Sequence, residues 1–149
     1  MIIGRSIKYL PQSRLIPEGM KLHRAFDLYG VNYWTFVNRF PKFSRHHVSP
    51  LYELSGGEAR LAELYLVLHS DAPFYILDEP FTQVDPVNIE DVKAMIRERA
   101  GDHGIIIIYH NYDAISAVAD NLFVIADVYT NQVRSREDLV RHGYLRAQG

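Results

Sequence analysis

The residues Phe74 to Pro80 constrain the fold more than any other stretch of this chain. Four bulky apolar residues, Phe74 to Leu77, run directly into two carboxylates, Asp78 and Glu79, and then into a proline. A short continuous apolar run that ends at a breaker is typical of a β-strand buried on both faces. Because open α/β sheets place ligands at the carboxyl ends of their strands, Asp78 and Glu79 are predicted to face a crevice.

Two adjacent carboxylates support two interpretations. Beside a nucleotide, one can hold Mg²⁺, which prefers oxygen ligands and keeps much of its hydration shell. The other can orient or deprotonate the water that attacks a γ-phosphate. A solvated acidic turn after an ordinary strand explains the same residues equally well, so these residues alone do not decide.

The composition is that of an ordinary soluble domain. The chain has 149 residues, 48% hydrophobic and 23% charged, with a net charge of -2, which suits one core and no nucleic-acid partner. The absence of cysteine excludes disulfides and thiolate metal sites. The longest aliphatic run, Ile105 to Ile108, is too short to cross a bilayer, and an apolar signal segment is lacking, so neither membrane insertion nor secretion is expected.

The first residues predict a short strand, Ile7 to Leu10, that ends at Pro11 and presents Gln12 at its tip. Taken alone, Gln12 fits a surface loop better than a functional position. The tripeptide Gly4 to Ser6 superficially resembles the end of a P-loop with Arg in place of Lys. We reject that interpretation, because a P-loop needs a strand before it and a helix after it.

Residues 14–50 predict two or three short helices rich in aromatic side chains, with stops at Gly30 and Pro41. These helices would form a small subdomain. Most of the aromatic side chains are expected in its core, with a partner-facing patch around Trp34 as the minority alternative. The adjacent pair His46-His47 is interpreted as a loop, because adjacent side chains diverge.

A glycine-rich motif, Leu54 to Glu58, leads into a predicted amphipathic helix. Ser55 and Glu58 have the spacing of a capping box, which places the helix start at the motif. Gly56 and Gly57 would let an anion approach the free amides of the first turn. The alternative is a flexible entry to an ordinary capped helix.

A second strand-and-helix pair follows the acidic strand. Asp85 and Pro86 predict an N-cap and a first helical residue. The helix would bury four apolar residues: Ile89, Val92, Met95 and Ile96. A second buried strand, Ile105 to Tyr109, ends at His110, so two strands carry titratable side chains at their carboxyl ends.

The remaining residues predict a short helix from Asp113 to Asp120, a possible hairpin of Leu122 to Ala126 with Val128 to Val133, and a terminal helix from Ser135 to His142. Ser135 and Asp138 would cap that helix, and Gly143 would stop it.

Taken in order, these motifs resemble the ATP-binding-cassette (ABC) ATPases. Tyr9 to Gln12 match that family's Q-loop, and Leu54 to Glu58 match its signature motif. Phe74 to Glu79 match Walker B with its catalytic glutamate. Gln83 to Pro86 match the D-loop, and Tyr109 to His110 match the H-switch. The match covers the chain from about Ile7 to Ala126. The run from Asp78 to Pro86 looks like the lipopolysaccharide-export and branched-chain amino-acid branch. Glu58 departs from the pattern, because the family most often has glutamine there.

The resemblance implies a fold, a site and partners. The fold is an incomplete P-loop NTPase (RecA-like) α/β core with a mostly parallel sheet, formed by residues 1–13 and 51–149, plus a helical signature subdomain of residues 14–50. The cofactors are ATP and Mg²⁺, and the protein would act in the cytoplasm as a peripheral subunit on the inner face of the membrane. Its partners would be a second cassette in a head-to-tail dimer and a transmembrane permease.

The resemblance also assigns the site residues. Glu79 and His110 are catalytic, and Asp78 and Gln12 bind Mg²⁺. Six residues contact the nucleotide: Gln12, Ser55, Gly56, Gly57, Glu58 and Asp85. Asp85 would also cross the interface between the two cassettes.

The Walker A loop is missing from this resemblance. In the family that loop carries most of the affinity for the phosphates, and we expect its strand to lie between those of Phe74 to Leu77 and Ile105 to Ile108. Without that strand the sheet would have a gap, and three explanations are open: the two strands pair directly, another chain fills the gap, or this chain is a piece of a longer protein. A truncated reading frame is favoured. We expect the isolated chain neither to bind ATP tightly nor to hydrolyse it.

Two other functions remain open. The chain could be a non-catalytic interaction protein that donates Ser55 to Gly57 to a partner's ATP site. It could also be a fragment of a soluble cassette of the iron-sulfur-assembly or chromosome-maintenance type, although no long heptad repeat supports the latter.

Overall fold

The computed structural model describes residues 7–126 and 128–145, which form two compact units divided after His110. The rejected P-loop match at Gly4 to Ser6 lies outside the described residues. In the described part of the chain, no helix is both long enough and apolar enough to traverse a bilayer.

The first unit is built on a parallel sheet of three strands, β1 (Ile7–Leu10), β2 (Phe74–Asp78) and β3 (Gly104–Ile108), with β2 in the centre. The predicted strands and the parallel α/β arrangement are confirmed. Of the three alternatives for the missing strand, the structure shows the first: the acidic strand and the isoleucine strand pair directly, with no gap between them. Phe74 is in register with Gly104 and Asp78 with Ile108, so both edges of β2 are paired and its backbone groups are satisfied.

The two faces of this sheet differ. Side chains alternate between faces along each strand, and on one face Leu10, Tyr75 and Leu77 are fully buried. On the opposite face Phe74, Ile106 and Ile108 are 54%, 60% and 51% exposed. The predictions that the acidic strand is buried on both faces and that the isoleucine strand is buried are therefore wrong, because helices of the described residues cover one face of the sheet only.

The segment from residue 14 to residue 50 contains helices α1 (Leu22–Tyr29) and α2 (Tyr33–Arg39) and a 3₁₀ helix, Pro41–His46. Gly30 ends α1 with φ +67°, and the Asn32 side chain caps α2 by accepting a hydrogen bond from the Thr35 amide. The predicted helices and the stop at Gly30 are confirmed, although Pro41 starts a 3₁₀ helix and His46 belongs to that helix rather than to a loop.

Aromatic side chains form the core of this segment, as predicted. Phe26, Phe36 and Phe43 are fully buried, and the rings of Phe36 and Phe43 lie 4.5 Å apart. Trp34 is 54% exposed and stacks on His47.

Helix α3 (Gly56–His69) follows a 3₁₀ turn, Leu51–Glu53, and starts where the glycine-rich motif predicts. It is not amphipathic, because every residue from Ala59 to Leu68 is buried, including Arg60 and Glu63. A 3₁₀ turn, Pro86–Asn88, then leads into α4 (Ile89–Ala100), which buries Val92, Met95 and Ile96.

The second unit contains α5 (Tyr112–Ser116), the antiparallel hairpin of β4 (Leu122–Ala126) and β5 (Tyr129–Val133), and α6 (Arg136–Arg141). Val124, Val133 and Leu139 form its small core. The Asp138 carboxylate accepts a hydrogen bond from the Ser135 amide, and Gly143 follows with φ +72°. The predicted hairpin and capped terminal helix are confirmed, and the first helix is shorter than predicted.

Candidate functional site

The catalytic candidates Glu79 and His110 are in contact. The chain turns out of β2 at Glu79, which adopts φ +52°, while its amide still donates to the Ile108 carbonyl. The Glu79 carboxylate lies 2.9 Å from His110 Nδ1 and accepts a hydrogen bond from Thr82 Oγ1 at 2.9 Å. Parallel pairing of β2 and β3 therefore brings an acid and an imidazole together at one edge of the sheet.

The magnesium candidate Asp78 ends β2 and interacts with β1. The Tyr9 hydroxyl donates to Asp78 Oδ2 at 3.0 Å, and this bond raises the pKa of Tyr9 above its ordinary value. By strand alternation Asp78 shares the face of Phe74 and Ile76, which is the exposed face of the sheet.

The two predicted magnesium ligands, Asp78 and Gln12, have the chemistry that suits Mg²⁺. Asp78 offers a carboxylate and Gln12 an amide oxygen, and hard cations prefer oxygen ligands. In residues 7–126 and 128–145, no group of three or more His, Cys, Asp or Glu side chains could hold a metal. This is compatible with Mg²⁺, which takes few protein ligands and fills its shell with water and phosphate oxygens.

The glycine-rich motif forms the first turn of α3 through the predicted capping box. Ser55 Oγ accepts from the Glu58 amide at 3.1 Å, and Glu58 Oε2 accepts from the Ser55 amide at 3.0 Å. The bond from the Ser55 amide holds the pKa of Glu58 below its ordinary value. Ser55 and Gly56 are exposed at the start of the helix, whereas Gly57 is buried.

Asp85 does not act as the predicted side-chain N-cap. It precedes the turn Pro86–Asn88 without a side-chain capping bond. Its carboxylate lies instead against Gly57, where a Cβ would come within 2.5 Å of Oδ1, and 3.9 Å from Lys42 Nζ. Only glycine admits this approach, and the D-loop candidate therefore packs on the signature motif of its own chain.

Two charged residues of α3 were missed by sequence reasoning. Arg60 is 3% exposed and donates to the carbonyls of Pro11, Asp78 and Glu79, and Glu63 is fully buried and accepts from the amides of Leu15 and Ile16. The available signal was their position inside a run of buried helical residues, because buried charges require partners.

Gln12 is exposed in the loop that follows β1. That loop is the one held by Arg60 and Glu63 through its backbone. Gln12 is thus placed beside the carboxyl end of β1, with its side chain accessible.

The site can perform acid–base chemistry on a water molecule. Glu79 has a carboxylate held by two neighbours, 14% exposed, beside a 73% exposed histidine. Asp78 lies one residue away and offers a carboxylate oxygen of the kind that Mg²⁺ prefers. Hydrolysis of a phosphoanhydride needs these groups together with an anchor for the phosphates.

Comparison with known proteins identifies the family, although no protein-family profile matches the chain. It is 37% identical over 130 residues to an uncharacterized ABC transporter ATP-binding protein of Rhizobium meliloti (strain 1021), covering 80% of this chain and 48% of that protein. It is 34% identical over 91 residues to the lipopolysaccharide export system ATP-binding protein LptB of Escherichia coli (strain K12), covering 60% of this chain and 34% of LptB. The chain spans about half, or less, of the length of the curated relatives that it matches.

The fold is also found among solved structures. A solved structure described as the ATP binding subunit of an ABC transporter superposes with a TM-score of 0.72 at 21% identity, covering 97% of this chain and 65% of that one. This confirms the expected P-loop NTPase type of α/β fold. Because it is 37% identical to the Rhizobium meliloti ABC transporter ATP-binding protein over 80% of its own length, the chain belongs to the ATP-binding-cassette ATPase family.

Proposed function

We propose that this chain is the C-terminal part of an ABC transporter ATP-binding subunit, and that it couples ATP hydrolysis to transport once a Walker A segment completes the site. The observation that carries the proposal is the contact between Glu79 and His110, 2.9 Å apart at the ends of β2 and β3. Transporter ATP-binding proteins among the relatives support the transport assignment.

Each polar residue of the site has a role in this proposal. Glu79 accepts the proton of the attacking water, and Thr82 and His110 hold its carboxylate in place. Asp78 and Gln12 would hold Mg²⁺, which when bound neutralises charge on the β- and γ-phosphates. General-base catalysis of this kind contributes roughly 10²–10⁴-fold to the rate.

The exposed face of the sheet supports a completing segment. Phe74, Ile106 and Ile108 leave an apolar surface at 51–60% exposure, and among the described strands β3 pairs along one edge only. Asp78 lies on this same face. A strand and phosphate-binding helix placed there would bury the isoleucines and bring the phosphates to Asp78.

Ser55 and Gly56 support a second cassette. They are exposed at the start of α3, where amides and the helix dipole favour a phosphate oxygen. In the proposal, Ser55, Gly56 and Gly57 contact the γ-phosphate held by the other cassette, with Glu58 fixing the turn and Asp85 lying at the interface.

The helical subdomain, residues 14–50, is proposed as the permease contact. An open cavity of about 660 Å³ lies on it, lined by Pro17, Gly19, Met20, Lys21, Arg24, Asp27 and Leu28. Leu28 is 69% exposed there, between basic and acidic side chains. A cytoplasmic segment of a permease would cover this surface and hold the chain at the inner face of the membrane.

The proposal is tested in a chimera in which this chain replaces the matching 130 residues of the Rhizobium meliloti relative. We expect Mg²⁺-dependent ATP hydrolysis that Glu79→Gln lowers by about 10²–10⁴-fold. A chimera that binds ATP and is equally active with Glu79→Gln would exclude Glu79 as the base.

The same chimera separates the catalytic role from a purely interacting one. Ser55→Arg places a bulky cation at the start of α3 and should abolish hydrolysis by blocking the second cassette. If Ser55→Arg is inactive while Glu79→Gln retains full activity, the chain supplies a signature motif to a partner's site and has no catalytic part of its own.

A further inference from the structure

We propose that Arg60 and Glu63 are positioning residues that lock residues 11–16, the Gln12 loop, to the backbone of Asp78 and Glu79. The catalytic consequence rests on the proposed function, whereas the lock itself is a property of this chain. Arg60 and Glu63 lie one turn apart on α3, and both are buried.

Glu63 holds the far end of the loop. Its Oε1 accepts hydrogen bonds from the amides of Leu15 at 2.9 Å and Ile16 at 3.1 Å. The carboxylate is fully buried, so water does not compete for these bonds. A single oxygen thus fixes two consecutive amides three and four residues beyond Gln12.

Arg60 holds the near end of the loop and the acidic turn together. Its Nη1 donates to the Pro11 carbonyl at 2.8 Å, and its Nη2 donates to the carbonyls of Asp78 at 2.9 Å and Glu79 at 3.1 Å. The planar guanidinium therefore spans the ends of β1 and β2. Glu79 has the uncommon φ of +52°, and Arg60 donates to the backbone carbonyl of this same residue.

Stability alone does not explain this pair. Arg60 Nη1 and Glu63 Oε2 are 3.6 Å apart, too far for a good hydrogen bond, and burial lowers the pKa of Arg60 while Glu63 opposes that shift. Apolar residues of similar volume often stabilise a core as well as a buried ion pair does. All five hydrogen bonds of Arg60 and Glu63 are made to the backbone of residues 11–16 and 78–79. The specific effect of the pair is therefore to fix the position of residues 11–16 relative to residues 78–79.

The position of the pair on α3 extends the lock to the signature motif. Ser55 starts the helix, and Arg60 follows five residues later, a rise of about 7.5 Å at 1.5 Å per residue. The same helix therefore starts at Ser55 and, little more than one turn later, holds the backbone of the loop around Gln12 and of Glu79. Displacing its first turn would displace both loops together.

The lock is tested in the full 149-residue chain by amide hydrogen exchange. The double variant Arg60→Met/Glu63→Leu replaces both charges by apolar groups. We expect the Leu15 and Ile16 amides to lose about 10- to 100-fold in protection, the range for hydrogen bonds to a charged group, while the amides of β2 keep theirs. Glu63→Gln keeps an acceptor oxygen without the charge, and its Leu15 and Ile16 amides should lose about 3- to 10-fold in protection.

Arg99→Lys is the matched control. Arg99 also donates to backbone and side-chain oxygens, but at the start of β2, where it contacts Tyr75 and the Ser70 carbonyl. This variant should leave the Leu15 and Ile16 amides unchanged relative to β2. Unchanged protection of these amides in Glu63→Gln, whether the double variant folds or not, would overturn the proposal, as would an equal loss in Arg99→Lys.

A kinetic readout distinguishes positioning from folding. In the ATP-hydrolysing chimera, Arg60→Lys should lower kcat at least tenfold and leave KM for ATP within about twofold, because the phosphates are anchored elsewhere. Equal changes in kcat and KM would contradict the catalytic consequence. If the parent chimera is inactive, the proposed function fails, and the exchange data still decide the lock.

Discussion

Gly57→Ala has two opposing effects on the stability of this chain. A Cβ at Gly57 would lie 2.5–2.8 Å from the carboxylate atoms of Asp85, so the carboxylate must move. It can do so, because the Asp85 side chain is 47% exposed. The substitution therefore removes an anion from the start of α3 without disrupting the core.

The two effects are similar in size. Alanine in place of glycine stabilises a helix by up to about 1 kcal/mol, and less in the first turn. An exposed anion at a helix N-terminus contributes about 0.3–1 kcal/mol, and the 3.9 Å pair with Lys42 adds little. Gly57→Ala alone should change the free energy of unfolding by less than ~0.5 kcal/mol.

A double-mutant cycle with Asp85→Ala reveals the hidden gain. Once Asp85 is gone, Gly57→Ala should stabilise the first unit by about 0.5–1 kcal/mol, a coupling of ~0.3–1 kcal/mol. Urea unfolding followed by the fluorescence of Trp34, the single tryptophan, measures it. Asp85→Asn keeps the shape without the charge and should behave like Asp85→Ala. Additive effects would refute the contact, and a loss above ~2 kcal/mol for Gly57→Ala would show that the Asp85 carboxylate cannot move away.

Three further outcomes are expected. The pKa of Glu58 is lowered in the fold, so its carboxylate stabilises the fold fully at a pH above the ordinary pKa near 4.5 and loses that contribution as the pH falls through the lowered pKa. The stability difference between wild type and Glu58→Gln should therefore vanish in acid. A difference that does not depend on pH would contradict this. The bidentate pair of Arg39 and Glu98, 26% and 58% exposed, should give a coupling energy of about 0.5–1 kcal/mol that shrinks in 1 M salt. Fully buried Phe36 touches several rings, so Phe36→Ala should cost ~3–5 kcal/mol by urea unfolding, and a cost below 1 kcal/mol would show that the aromatic cluster is not a core.

Sequence patterns predicted the elements that depend on local chemistry. Gly30 ends α1 because glycine accepts the left-handed conformation, and Ser55 and Glu58 cap α3 because their spacing closes a capping box. The two strands that precede Glu79 and His110 were both predicted, and their parallel pairing brings these two side chains into contact.

The rest depended on tertiary context. The order β1-β2-β3 is set by long-range pairing, so the direct contact of β2 with β3 could not be read from either strand. Four consecutive isoleucines look buried on both faces, yet Ile106 and Ile108 are exposed because nothing in the described residues 7–126 and 128–145 buries them. The contact of Asp85 with Gly57 depends on a loop conformation, which a capping pattern does not encode.

ATP hydrolysis by the purified 149-residue chain and by its chimera with the Rhizobium meliloti relative, each with and without Glu79→Gln, tests the central claim most directly. The chain has no G-x-x-x-x-G-K-[S/T] sequence to anchor the phosphates, so we predict no turnover by the chain alone and Glu79-dependent turnover in the chimera. Turnover by the chain alone that Glu79→Gln abolishes would contradict the requirement for a completing segment.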